Sequence, residues 1–167
     1  MFKKILLAVL VAAPLCLSAQ TVKFGVINPA EILNVMPDMT TAKNTLSQVQ
    51  EKYAAQAKPI EEELQKKQTE FEELAKSKAP QATLDAKQKE FEDLYGRYQT
   101  FMQTAQQDLQ KQQETLFAPI QQKLLNAIQA VGAEGGYAGI LDSASLLYKG
   151  NNIEDISAKV KDKLGIK

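Results

Sequence analysis

The sequence predicts an α+β chain that is mostly α, a long antiparallel coiled-coil helical hairpin joined to a small β body of three short strands and a C-terminal helix. Three observations predict it. Apolar residues recur at steps of three and four across residues 40–131, a spacing that places them along one seam of a helix. That pattern is interrupted around Pro80, and the apolar positions on its two sides mirror each other. Short β-branched or apolar runs flank the helical region, beginning with residues 22–27 and resuming after a cluster of glycines at 132–136.

The first residues read as a targeting segment. Lys3 and Lys4 precede an apolar run from Ile5 to Leu17, broken by Pro14, and the small residues Ser18 and Ala19 follow. This is the pattern of a secretory signal peptide over residues 1–19, cut after Ala19. The run is too short for a good membrane span. A lipid anchor on Cys16 is the competing reading, although Leu15 stands where a small residue is needed before the cysteine. Cleavage removes the only cysteine, so the mature chain has no disulfide and no thiol chemistry. The full chain carries 20 basic and 20 acidic residues, and loss of Lys3 and Lys4 leaves 18 against 20, a net of −2. A nucleic-acid partner would call for a clear basic excess, and none is expected.

Residues 20–39 and 132–167 are expected to build the β body, and residues 40–131 the hairpin. Val22, Lys23, Phe24, Gly25, Val26 and Ile27 alternate as a strand, stopped by Asn28 and Pro29. A short helical turn follows through Ile32, Leu33 and Val35 and ends near Pro37. Thr40 or Thr41 caps the first long helix, whose seam runs through Leu46, Val49, Tyr53, Ala57, Ile60, Leu64, Phe71 and Leu74. Tyr53 to Leu64 spans eleven residues, a stutter in the heptad, with Pro59 inside it. Pro80 cannot continue a helix and pushes Ala79 out of the helical region, which puts the hairpin tip near residues 78–82.

The second helix presents Leu84, Phe91, Leu94, Tyr98, Met102, Ala105, Leu109, Leu116, Ile120, Leu124 and Ile128. Folding the chain so that paired numbers add to about 162 brings Leu46 to Leu116, Tyr53 to Leu109, Ala57 to Ala105, Ile60 to Met102, Leu64 to Tyr98 and Phe71 to Phe91. Both sides of each pair are apolar, and the two alanines coincide. Each arm would reach about 55 Å at 1.5 Å per residue. Gly132, Gly135 and Gly136 close the second helix. Residues 137–142 and 145–149 then read as two strands forming a hairpin, with a turn at Gly150–Asn152. Asp155 caps a final helix bearing Ile156, Val160 and Leu164 on one face, and Gly165 ends it.

The chemistry that is missing narrows the function. With no histidine and no mature cysteine, the common nucleophile–base pairs and zinc sites cannot be assembled. No cofactor, metal site or catalytic residue is expected. Glu61, Glu62 and Glu63 read as a solvated face paired with Lys66 and Lys67, and Tyr53, Phe71, Phe91 and Tyr98 as packing residues on the seam. Tyr95 lies off the seam and is a candidate for an exposed contact. Near the tip, Lys76, Lys78, Lys87 and Lys89 stand against Asp85, a local net of +3, while the shaft above them is acidic.

This order of parts resembles the Skp (OmpH) family of periplasmic chaperones. Gly136-Tyr137-Ala138-Gly139-Ile140-Leu141-Asp142, then Tyr148, then Asp155-Ile156-Ser157-Ala158-Lys159-Val160 is similar to the family's closing pattern. Pro119-Ile120, Ala127-Ile128 and Val131 resemble its approach to that segment, and Gly25-Val26-Ile27-Asn28 its first strand. The resemblance implies a homotrimer whose strands form a central body and whose hairpins hang as tentacles around a cavity. It implies an ATP-independent holdase in the periplasm that keeps unfolded outer-membrane β-barrel proteins from aggregating. Val22, Phe24, Val26, Ile140, Leu141 and Leu146 are then the expected trimer interface, because a lone protomer leaves strand edges and apolar faces open. The four tip lysines are the expected contact with anionic membrane or client. Members of the family are often strongly basic and this chain is not, so clients are expected to be held by apolar and backbone contacts. The competing reading is a coiled-coil spacer or adaptor linking cell-envelope proteins.

Overall fold

A computed structural model of the protein describes residues 22–166. The proposed signal peptide, its cleavage point and Cys16 lie outside the described residues. Along the chain come strand β1 (Phe24–Ile27), helix α1 (Pro29–Val35), helix α2 (Pro37–Lys76), helix α3 (Gln81–Glu134), strand β2 (Gly139–Asp142), strand β3 (Ile153–Asp155) and helix α4 (Ser157–Leu164). Among the described residues no helix is long and apolar enough to cross a membrane.

Local chemistry sets most of the boundaries. Asn28 Oδ1 accepts the Glu31 N–H at 3.3 Å and Pro29 occupies the first turn of α1, where its missing N–H costs nothing. Pro37 does the same for α2, which therefore starts three residues before the threonines expected to cap it. Both threonines instead lie inside the helix, and the Thr41 hydroxyl donates back to the Pro37 carbonyl. The helix runs on through Pro59 and ends at Lys76, and a four-residue turn leads to α3, which begins directly after Pro80. Lys78 takes a left-handed conformation (φ 56°) in that turn.

The two long helices, of 40 and 54 residues, pack on each other along their length. Contacts pass from Asp38–Lys123 beside the body, through Tyr53–Asp108 and Glu61–Tyr98, to Lys67–Glu90 near the turn. Residue numbers fall on α3 as they rise on α2, and the four pairs add to 161, 161, 159 and 157. Ala57, Leu94 and Ala105 are buried between the helices, and Leu46, Tyr53, Ile60, Leu64, Phe71, Phe91, Tyr98, Leu109 and Leu116 are half-buried. Met102 departs from its expected place on the seam and is 43% exposed. A two-helix seam has no third layer to cover its flanks, so side chains at its edge stay in contact with water.

The β body differs from the expected hairpin. β1 is the central strand, with β2 and β3 each parallel to it on either side. Residues 145–149 form no strand. Ser143–Ser145 make a 3-10 turn, and the third strand forms at Ile153–Asp155, between the expected turn at Gly150–Asn152 and the final helix that Asp155 is expected to cap. Parallel strands need a crossover, and the 143–152 segment provides it without pairing. Gly132 also departs from expectation. It lies within α3, where an added Cβ would come 3.0 Å from Ile140 Cδ1, so it admits the sheet against the helix and does not end it. Gly135 and Gly136 do close α3. A Cβ on Gly135 would lie 2.2 Å from the Tyr137 ring, and Gly136 takes φ 63°.

The main core lies where the body meets the base of the long helices. Ile27, Ile32, Met36, Met39 and Ala42 pack with Ile120, Leu124, Ala127 and Val131 of α3 and with Ile156 and Val160. Ile156 and Val160 are wholly buried, and the Ile156 N–H donates to the Val26 carbonyl at 3.0 Å, extending the sheet into α4. The N-cap position of α4 falls to Ile156, one residue after the Asp155 expected there. Asp155 ends β3, and its Oδ1 still accepts the Ser157 N–H at 2.9 Å, while Gly165 ends the helix in the left-handed region (φ 71°).

Candidate functional site

Three surfaces carry candidate residues: the sheet face turned away from the helices, the arm, and its tip. Parallel in-register pairing fixes the first. Phe24 pairs with Gly139 and Ile153, Gly25 with Ile140 and Glu154, and Val26 with Leu141 and Asp155. Side chains alternate along a strand, and paired residues of parallel strands share a side. Phe24, Val26, Leu141 and Ile153 therefore share one face, while Gly25, Ile27 and Ile140 face the helices.

Ile140 consequently leaves the set expected at an interface, since its side chain packs over Gly25 and Gly132. Val26 keeps its face but is 1% exposed within its own chain and offers little surface to a partner. Leu141, at 39%, and Val22, at 60%, are open. Phe24 and Leu146 are half-buried. Leu147 and Tyr148 are the most exposed large apolar side chains among the described residues. Both lie in the 145–149 segment expected as a strand, which forms none. Their apolar character was the available signal, and it could not show that the segment stays unpaired.

On the other side of the body a charged cluster ties four segments together. Glu154 of β3 accepts Lys159 of α4 through Oε1 at 2.5 Å and Lys23 through Oε2 at 2.9 Å. The Lys23 ammonium stands 4.1 Å from the centre of the Tyr137 ring, a cation–π geometry, and Lys159 donates to the Tyr137 hydroxyl at 3.0 Å. The Lys159 hydrogen bond, followed by that of Lys23, lowers the Glu154 carboxyl from its ordinary 4.5 to about 2, and Glu154 in turn raises Lys159 from 10.5 to about 12. Because the folded-state pKa of Glu154 is depressed, its contribution is fully present above pH 4.5 and is lost as pH falls toward 2. The Lys159 contribution is full below pH 10.5 and is lost as pH rises through 12. Thermal melts from pH 7 to pH 2 should therefore show wild type losing more stability in acid than Glu154→Gln, with the two curves converging near pH 2. Parallel curves across that range would mean that the cluster contributes nothing. The groups are solvent-facing, so the difference will be small and will shrink with added salt.

The arm surface is charged toward the turn. Glu61, Glu62 and Glu63 do not form the pairs read from sequence. Glu61 accepts the Tyr98 hydroxyl at 2.7 Å and Glu62 meets Lys58 at 4.0 Å. Lys66 meets Glu70 at 3.9 Å, and Lys67 crosses to Glu90 at 3.0 Å. Among the described residues no group of three or more metal-ligating side chains is positioned to hold an ion. Of the four tip lysines, Lys76, Lys78 and Lys89 are exposed, while Lys87 lies half-buried between Glu70 at 3.6 Å and Glu90 at 3.4 Å. Lys87 is thus a staple across the two helices, and the outward positive charge rests on the other three. Tyr95 is 46% exposed, its ring stacked on Phe91 at 6.1 Å.

Comparisons with known proteins bear on the family and the fold. The family model described as Outer membrane protein (OmpH-like) matches residues 23–164. The crystal structure of an OmpH-like outer membrane chaperone candidate from Caulobacter crescentus CB15 superposes with a TM-score of 0.70. It shares 14% sequence identity, and the match covers 86% of this chain and 83% of that one. Identity that low makes the likeness one of fold. No curated protein matches the chain.

Proposed function

Because the chain belongs to the OmpH-like family, matched over nearly all of its described residues, we propose that it is a periplasmic holdase that keeps unfolded outer-membrane β-barrel proteins from aggregating, without ATP. Family membership supports a chaperone role in general. The observation that carries the finer reading is the arm. Helices of 40 and 54 residues leave a small body and pack on little but each other, forming an antiparallel coiled-coil hairpin that presents a long surface to solvent. A single arm encloses nothing. Three arms held by one body would surround a cavity, and the exposed apolar residues Val22, Leu141, Leu147 and Tyr148 of the body mark the surface on which three copies would join. The signal peptide over residues 1–19 would deliver the chain to the periplasm.

Aggregation suppression tests this directly. A urea-unfolded β-barrel protein diluted into buffer should stay soluble with one trimer per client, with ATP absent, and unrelated unfolded barrels should be held as well. Failure to suppress aggregation of any of them, together with binding to one folded envelope protein, would favour the spacer reading.

The tip is assigned a separate task, transient contact with an anionic membrane surface. Each lysine near such a surface is worth about 1 kcal/mol. Changing Lys76, Lys78 and Lys89 to Gln should therefore weaken binding to anionic vesicles by roughly 100-fold or somewhat less, while Lys87→Gln acts mainly on arm stability. Client holding should survive both these changes and moderate salt, because apolar contacts are not screened as exposed charges are. Collapse of client binding in modest salt would show that charge does the holding.

A further inference from the structure

Midway along the arm the packing between α2 and α3 thins. Ala57 and Ala105, 6% and 4% exposed, lie there, and their small side chains line a groove of about 550 Å³ open along one flank. Tyr53 borders it, fixed by its hydroxyl donating to Asp108 at 2.9 Å and by its ring lying edge-on to Phe101 at 6.0 Å. Met102 lines it while 43% exposed. The thioether chain is unbranched and polarisable, and adapts to differently shaped neighbours.

No charged side chain lines this groove, although the arm nearer the tip carries Glu61, Glu62, Glu63, Glu90, Glu92 and Asp93. Its polar lining is Gln50, Gln103 and Gln106, with the Tyr53 hydroxyl already donating to Asp108. A primary amide both donates and accepts hydrogen bonds, as a peptide backbone does.

We infer that this groove seats an uncharged, extended segment of an unfolded polypeptide, with one apolar side chain against Met102 and Leu109 and its backbone amides on the glutamines. Charge matching selects this occupant. An ionised side chain would be desolvated there with no counter-charge among the lining residues, whereas an extended backbone finds both donors and acceptors. Segments that alternate apolar and polar residues, as β-barrel strands do, present such a side chain at every second position. The inference rests on the chaperone reading and names where on the arm a client is touched.

The test uses the full mature protein and a fluorescently labelled, urea-unfolded β-barrel protein as probe. Met102→Glu, Met102→Lys and Ala54→Glu each place a charge at an exposed position on the groove, so arm helicity by circular dichroism should stay at the wild-type level. Each should weaken probe binding by roughly tenfold, whichever sign is introduced, and Met102→Leu should stay within about twofold. Unchanged binding in the charged variants, with wild type active, overturns the groove and leaves the chaperone reading standing. Weakening by one sign only shows electrostatic recognition and overturns it as well. Wild type that holds no unfolded probe removes the chaperone reading and this inference together. If the Met102 variants lose helicity, Ala54→Glu decides the outcome.

Discussion

Ile156→Asp should abolish the cooperative folding of the body. Ile156 is wholly buried, and an added Cβ on Gly25 would lie 3.1 Å from its Cγ2. No buried polar side chain occurs among the described residues, so the new carboxyl would find no ready partner. An unpaired buried charge, or the proton uptake that neutralises it, costs more than about 4 kcal/mol. That is comparable with the whole stability of a typical domain, roughly 5–15 kcal/mol. Urea unfolding followed by circular dichroism should show the main transition lost or moved to very low urea, with residual helicity from the arm. Ile156→Val is the control and should cost about 0.5–1.5 kcal/mol. A charged variant that melts like wild type would mean that α4 is not anchored through this side chain.

The adjacent pair Ile140 and Leu141 should separate folding from assembly. Leu141 lies on the open sheet face, 39% exposed in the single chain, so Leu141→Asp should leave the protomer folded. In the proposed trimer it would bury a carboxylate at every copy of the interface. A loss of about 2.7 kcal/mol per contact corresponds to 100-fold weaker association. Sedimentation analysis at micromolar concentration should then find three chains for wild type and folded single chains for the variant. Ile140→Asp, one residue away, should act differently, lowering the melting temperature of the protomer because its side chain packs against α3. Wild type that sediments as a folded monomer would remove the trimer from the proposal. Leu141→Asp that stays trimeric would place the interface elsewhere.

The arm was legible in the sequence because its determinants are local. Spacings of three and four place apolar side chains on one stripe of a helix whatever surrounds it. Pro80 stops a helix through its own ring, and Gly136 and Gly165 take the left-handed conformations that suit their positions at helix ends. The alanines at 57 and 105 mark where two helices approach, and they are buried as their mirrored positions suggested. The sheet could not be read this way. Ile153-Glu154-Asp155 carries little β propensity and becomes a strand only because the free edge of β1 satisfies its backbone groups. Leu146-Leu147-Tyr148 has the propensity and lacks a strand to pair with. Which side of the sheet Ile140 and Leu141 face depends on a register that exists only once β1 and β2 meet. Met102 reads as a seam residue, and its exposure follows from the openness of a two-helix pair. The sequence alone thus determined the two long helices and the break between them. Tertiary structure decided strand pairing, facing and exposure, because those properties belong to contacts between distant segments and to no stretch of chain by itself.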